Sequence, residues 1–247
     1  TLISTFGYSG KIILTKDMNE VLIEKNRITA MCGVKGPKLS QIACENGLSG
    51  FEFMIGFPGS VGGEIYMNAS ANGQAISDKL TSVTCYSLKN KELITYTKDE
   101  MEFEYRNSIC ERDNLLVLEG KFELESKSVE EIKQQMDKNL IFRKNHQPSL
   151  ALPNCGSIFK NPVGDSAGRL LESVGAKEIN IGGVKVWRNH ANFIINNNNG
   201  TSVDVLSLML ELKERVLEEY NINLEPEIKF LGGENKKENE LWQKLNK

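Results

Sequence analysis

Gly56-Phe57-Pro58-Gly59-Ser60-Val61-Gly62-Gly63, running straight into Glu64-Ile65-Tyr66-Met67-Asn68-Ala69, is the stretch on which the reading of this chain turns. Four glycines and a proline in eight residues argue against a helix or a regular strand. Glycine loses most backbone entropy on ordering, and proline has no N–H to give. Glycine instead opens positive φ and lets a ligand approach the bare main chain. Successive N–H groups in such a loop can converge on an anion such as a diphosphate. The spacing of Gly59, Gly62 and Gly63 is not that of a Rossmann G-x-G-x-x-G turn. From spacing alone, a structural turn cluster and a phosphate cradle are both open.

The rest of the composition narrows the classes. A chain of 247 residues has room for one large or two medium domains with real cores. The net charge is −3, and lysines and arginines are scattered rather than striped, so no nucleic-acid footprint is present. No stretch reaches the length of a membrane span. Cys32, Cys44, Cys85, Cys110 and Cys155 form an odd set without a C-x-x-C pair, as expected of reduced, buried thiols. His146 and His190 have no i, i+4 partner, and no metal site is expected.

Outward from the glycine stretch, the first half reads as strand-rich. Strands are expected over 11–15, 21–24 and 28–32, with a short helix over 37–45 stopped by Gly47. A hairpin is expected from 82–88 and 92–97 around Lys89-Asn90-Lys91. Thr97-x-x-Glu100 reads as a capping box ahead of Tyr105-Arg106, and 115–125 as another strand. Ser128-x-x-Glu131 then caps a helix with Val129, Ile132, Met136 and Leu140 at helical spacing, ended by the two-proline segment up to Pro153. Thr201-x-x-Asp204 opens a second long helix, with Val205, Met209, Leu212, Val216 and Tyr220 on its core face. Beyond Gly233 nearly everything is charge or amide, which reads as a solvated tail. The order suggests two parts joined near residues 125–127: 1–126, then 127–232, with 233–247 as the charged tail.

Asn154-Cys155-Gly156-Ser157-Ile158-Phe159-Lys160-Asn161-Pro162 puts a hydroxyl, an ammonium and amides around a glycine turn. By itself this reads equally as an ordinary surface loop. In company it resembles something specific. Gly50-Phe51-Glu52-Phe53, the glycine stretch with Asn68-Ala69, Tyr105-Arg106-Asn107-Ser108 and the Gly156–Pro162 run are similar to the UDP-N-acetylenolpyruvoylglucosamine reductase (MurB) family. So are Ala167-Gly168, His190-Ala191-Asn192-Phe193 and Leu224-Glu225-Pro226-Glu227, in the right order up to Gly232. The Gln147-Pro148 spacing resembles the subtype lacking the longer substrate-capping insertion.

The resemblance implies an α+β protein. Residues 1–126 would be an FAD-binding domain like that of vanillyl-alcohol-oxidase-type flavoproteins, and 127–232 an α/β UDP-sugar domain. It implies reduction of UDP-N-acetylglucosamine enolpyruvate to UDP-N-acetylmuramate, with FAD and NADPH, in cytoplasmic cell-wall synthesis by a monomer. Gly56, Pro58, Gly59, Ser60, Gly62 and Gly63 would hold the cofactor. Arg106 would meet the charge that develops beside the substrate carboxylate, Ser157 would protonate the α-carbon, and Glu227 would complete the catalytic set. Lys160, Asn161 and His190 would contact substrate or nicotinamide. Read without the family, Arg106 is a surface arginine, Glu227 a solvent-facing strand end, and His190 a polar loop residue.

Two departures from the family pattern stand out: Asn72 where an aromatic is usual, and Cys110 where phenylalanine is usual. The family also carries a strand–helix–strand segment and another glycine-rich phosphate loop ahead of the point matching Thr1. The expectation on that ground is weak FAD retention by the chain as written. Rival readings are another flavin oxidoreductase of the same fold, or a non-catalytic UDP-sugar-binding module.

Overall fold

The structure is a computed structural model that describes residues 1–149 and 151–247. It divides into two compact units, Ile13–Arg143 and Thr1–Ile12 with Lys144–Lys247. The division falls inside a long helix rather than at residues 125–127.

After the two-residue strand β1 (Leu2–Ile3), the first unit is built on β2 (Val21–Glu24), β3 (Arg27–Met31), β7 (Leu80–Ser87), β8 (Glu92–Thr97) and β9 (Leu115–Glu123). These form one antiparallel sheet in the order β2-β3-β9-β7-β8. Along β7 the buried residues Leu80, Val83, Cys85 and Ser87 send one face inward, with a register shift between Thr84 and Cys85. Into that face pack α1 (Gly36–Glu45), β4 (Leu48–Ser49), the short helix α2 (Val61–Tyr66), the small hairpin β5 (Ser70–Ala71) and β6 (Gln74–Ala75), and α3 (Ile109–Arg112). Strand β10 (Glu125–Ser126) pairs with β4. Phe51 and Phe122 meet edge to face at 5.0 Å in this core, an arrangement worth about 0.5–1.5 kcal/mol beyond burial. Helix α4 (Val129–His146) closes the unit, and Ser128 and Glu131 exchange the two capping-box hydrogen bonds that start it. Ile132 and Met136 bury as expected, whereas Val129 and Leu140 are exposed.

Two expectations fail here. Residues 11–15 form no strand: Ile13 and Leu14 are 73% and 71% exposed and lie in no ladder. A strand needs a partner for its backbone groups, and β2, the edge of this sheet, is not paired with that segment. Conversely, Val61-Gly62-Gly63 is helical, forming the first turn of α2. Tertiary contact overrides propensity there. Gly62 N donates to Cys32 O at 2.9 Å, and a Cβ on Gly62 would stand 2.7 Å from that of Cys32. One turn later Ile65 lies over Gly120 of β9, where a Cβ would come within 2.7 Å of Ile65 Cδ1.

The second unit holds the sheet β11 (Asn154–Ser157), β14 (Phe193–Asn196), β13 (Val184–Val186) and β12 (Asn180–Ile181), antiparallel in that order. Helices α5 (Ala167–Ser173) and α6 (Ser202–Tyr220) share its core. The Thr201/Asp204 capping box starts α6, and Val205, Met209, Leu212 and Val216 are buried along one face. Strand β1 pairs in parallel with β15 (Phe230–Leu231). The segment beyond Gly233 is not a solvated tail. Asn235 caps α7 (Lys236–Leu245), which packs on α6. Leu245 is fully buried, Lys213 Nζ donates to its carbonyl at 2.7 Å, and the buried Glu238 carboxylate accepts from Ser4 at 2.7 Å and from Ser202. The charges of α7 mask Leu241, Trp242 and Leu245 and a buried acid, Glu238, at helical spacing.

Candidate active site

In the first unit the glycine stretch crosses the segment that leads into α1. Val61 N donates to Val34 O, Gly62 N to Cys32 O, and Gly36 N to Gly59 O. This lattice fixes the loop without using side chains of the glycines. A cavity of about 230 Å³ opens beside it, lined by Thr15, Cys32, Ser60, Gly62, Gly63 and Tyr66 among others. A Cβ on Gly63 would meet nothing nearer than Ser60 Oγ at 3.8 Å, so the main chain there is bare toward open space. At the other end of the stretch, Gly56 lies under the half-buried Arg143, where a Cβ would stand 2.6 Å from Arg143 Cδ. Burial pulls the Arg143 guanidinium below its ordinary pKa.

Arg106 belongs to the same unit. It occupies the left-handed region at φ 55°, unusual for a residue with a Cβ. Such conformations persist where the surroundings over-determine them, and they gather at functional sites. Here the supports are visible: Asn68 Nδ2 donates to Glu104 O at 2.9 Å, and Ser108 Oγ to Tyr66 O at 2.8 Å. The guanidinium donates to Ser70 Oγ at 2.8 Å and lies over the Tyr105 ring. Asn72, the first departure from the family pattern, is also at positive φ (53°) and donates to Asn139 on α4, at 3.0 Å. Asparagine tolerates that backbone better than an aromatic does. Cys110, the second departure, is buried and hydrogen-bonds with Cys85, a contact that raises the Cys85 pKa and lowers that of Cys110.

In the second unit the fold places five of the expected residues: Ser157, Lys160, Asn161, His190 and Glu227. Ser157 on β11 pairs with Phe193, and Ile158 N donates to Asn192 O at 3.0 Å. On the other side, Lys160 N donates to Glu225 O and Glu227 N to Ile158 O, both at 2.9 Å. This register sets Ser157, Lys160 and Glu227 on neighbouring extended segments. Asn192 bridges both main-chain groups of Phe159, at 3.0 and 2.8 Å, and its own N–H donates to His190 Nδ1 at 3.2 Å. His190 therefore carries its proton on Nε2, and burial lowers its pKa, keeping the ring neutral. Gly168 makes room for that ring, since a Cβ would lie 2.7 Å from His190 Cε1. Lys160 pairs with Glu225 at 3.3 Å, and the Asn161 amide oxygen accepts from Ala167 N at the start of α5. Arg106 belongs to the first unit and Ser157 and Glu227 to the second.

The chain is similar to known proteins over both units. Residues 147–231 match the C-terminal domain of UDP-N-acetylenolpyruvoylglucosamine reductase, and residues 3–95 an FAD binding domain. A UDP-N-acetylenolpyruvoylglucosamine reductase from Latilactobacillus sakei is 37% identical over 226 residues, which is 92% of this chain and 74% of the relative. The chain belongs to the MurB family. A second family member, UDP-N-acetylenolpyruvoylglucosamine reductase 2 of Bacillus cereus, is 38% identical over 94% of this chain and 75% of its own length. The crystal structure of MurB from Thermus caldophilus superposes with a TM-score of 0.72 at 33% identity, covering 83% of this chain and 72% of that one.

Sequence reasoning named the MurB glycines but passed over Glu64 and Arg143 beside them. Glu64 is almost wholly buried, and neither of its carboxyl oxygens has a hydrogen-bond partner among the described residues. The available signal was a lone acid inside an otherwise apolar, glycine-rich stretch. A bare glycine backbone facing a cavity fits a dinucleotide cofactor.

Proposed function

We propose that this chain reduces the enolpyruvyl ether of UDP-N-acetylglucosamine to UDP-N-acetylmuramate, with FAD as cofactor and NADPH as donor, in peptidoglycan precursor synthesis. The observation that carries the reading is the family match to both units, FAD-binding over 3–95 and MurB C-terminal over 147–231. No helix among the described residues is long and apolar enough to cross a membrane.

The glycine stretch, with Gly56, Pro58, Gly59, Ser60, Gly62 and Gly63, would hold FAD, and the first unit would be the FAD-binding domain. When bound, FAD supplies the hydride path from NADPH to the substrate double bond. The chain's own residues handle the charge and the proton. Reduction at the vinyl terminus leaves negative charge on the carbon α to the carboxylate, delocalised into its oxygens. Arg106 is suited to that charge: its planar, cationic fork matches a carboxylate. Because it is held in place by the 104–108 turn, it needs no reorganisation as charge develops, which is the condition for electrostatic stabilisation to be large.

Ser157 Oγ then gives its proton to the α-carbon. Glu227, one extended segment away, stabilises this step. Lys160 suits a phosphate of the UDP moiety as a point charge. Its pairing with the exposed Glu225 is the kind of contact worth little in water and readily exchanged. His190, neutral with its proton on Nε2, is a hydrogen-bond donor to substrate or nicotinamide, and Asn161 serves the same region.

The test is spectroscopic. Protein supplied with FAD should show bound-flavin absorbance that bleaches with NADPH and returns on adding the enolpyruvyl substrate. Colourless protein that still binds UDP would leave a sugar-nucleotide-binding module instead. A flavin that bleaches but is never reoxidised by this substrate would leave a different oxidoreductase.

A further inference from the structure

Glu64 is the one buried acid of the first unit that the fold leaves unsatisfied among the described residues. Glu52, equally buried, accepts from Ser49 Oγ at 2.6 Å and from Gly50 N at 2.8 Å, and so stabilises its own turn. Glu64 is 4% exposed, and both of its carboxyl oxygens lack a partner. Its Oε1 lies against Gly36, the first residue of α1, and 3.1 Å from where a Cβ on Gly59 would stand. The acid is thus wedged under the Gly36–Gly59 contact, on the same short helix as Gly62 and Gly63, whose main chain borders the cavity. A buried, unpaired polar group in a native fold calls for a reason. What an acid adds at this place is a proton it can lose.

We propose that Glu64 is a cofactor-site acid that works in its un-ionised form, so that its proton admits an anionic dinucleotide diphosphate to the glycine stretch and its ionisation disfavours it. This rests on the FAD reading above. Burial by itself raises the Glu64 pKa to about 8. The ionisable groups of the surrounding elements leave it unmoved: Lys35, bridged to Ser60 just before α1, Lys38 and Glu45 of α1, Arg27 of β3, Asp78 after β6, Glu111 and Arg112 of α3, and Glu119 and Lys121 of β9. Near neutral pH the carboxyl therefore holds its proton and adds no negative charge to the anion site. Once ionised, it places a unit charge under Gly59 of the stretch, on the residue next to Gly63, whose main chain borders the cavity. In a partly buried site at such separations, repulsion of this kind changes binding by about tenfold or more.

The experiment is a flavin-fluorescence titration of the chain with FAD at about pH 6.5 and about pH 9, for the native protein and Glu64→Gln. The expected result is a Kd that rises at least about tenfold across that interval in the native protein and stays within about twofold in Glu64→Gln. Native affinity that does not change with pH overturns the proposal, and does so even if the variant fails to fold. A glutamine variant with the native pH profile overturns it as well. If neither protein binds FAD at either pH, the FAD reading itself falls and takes this coupling with it.

Discussion

Asn68 holds Glu104. Its side-chain amide donates to the Glu104 carbonyl at 2.9 Å, two residues ahead of Arg106, whose φ of 55° that turn imposes. Asn68 is itself at φ 43°, so one residue at the end of the glycine stretch both adopts and enforces left-handed backbone. The link carries the glycine stretch, which would hold the cofactor, to the arginine that would meet the substrate's charge.

Replacing Asn68 separates the two contributions. Asn68→Gly keeps the permitted φ and loses only the hydrogen bond, so it should cost about 1 kcal/mol. Asn68→Ala should cost about 1–2 kcal/mol more, because alanine is strained at positive φ. Urea unfolding of the two variants measures the difference. Equal stability would mean the backbone relaxes and does not impose the Arg106 geometry.

Ser157→Ala should still bind FAD and be reduced by NADPH, since neither step uses the hydroxyl. Reoxidation by the enolpyruvyl substrate should slow by about 10²–10⁴-fold, the usual worth of a general acid. Stopped-flow absorbance resolves the two half-reactions. A near-native reoxidation rate removes Ser157 from the proton transfer.

Arg106→Lys keeps a positive charge and loses the fork. Turnover should fall by about 10²–10³-fold, with a much smaller change in KM, if the guanidinium acts on developing charge. Steady-state kinetics read the split. A raised KM at unchanged turnover would make Arg106 a binding residue instead.

Glu64 also governs stability against pH. Its pKa is about 8 in the folded protein against an ordinary value of 4.5. A folded value raised this way favours the protonated form. The contribution is fully present below about pH 4.5, fades as pH rises toward 8, and is gone above it. Glu64→Gln should match the native protein near pH 4.5 and gain on it by a few kcal/mol, on the order of the shift, by pH 8. Urea midpoints across that range test the slope, and parallel curves would mean that Glu64 ionises freely.

The last helix offers a test of the second unit. Glu238→Ala leaves the Ser4 and Ser202 hydroxyls without their acceptor. Buried groups so stranded cost about 1–3 kcal/mol each. Thermal unfolding should show a drop of several degrees. No change would mean that α7 contributes nothing to the stability of this unit.

Much was legible in the chain alone. Capping boxes at Thr97, Ser128 and Thr201 announced a turn and two helices, because the side-chain and backbone donors that satisfy one another lie only three residues apart. The 3.6-residue stripe from Val205 to Val216 marked a buried face before any partner was known. The order of the family motifs carried the family, since each is a short run read without long-range information. Tertiary structure alone decided the rest. Gly62 and Gly63 are helical because Cys32 takes their turn's first hydrogen bond and its space. Residues 11–15 are strand-like in composition yet form no strand, because a ladder depends on a neighbour that local sequence does not name. Helix α7 reads as solvent-bound charge until Ser4 and Ser202, distant in sequence, close on Glu238. Burial, too, made Glu64 an acid with a pKa near 8, for desolvation is a property of what surrounds a side chain and not of its place in the chain.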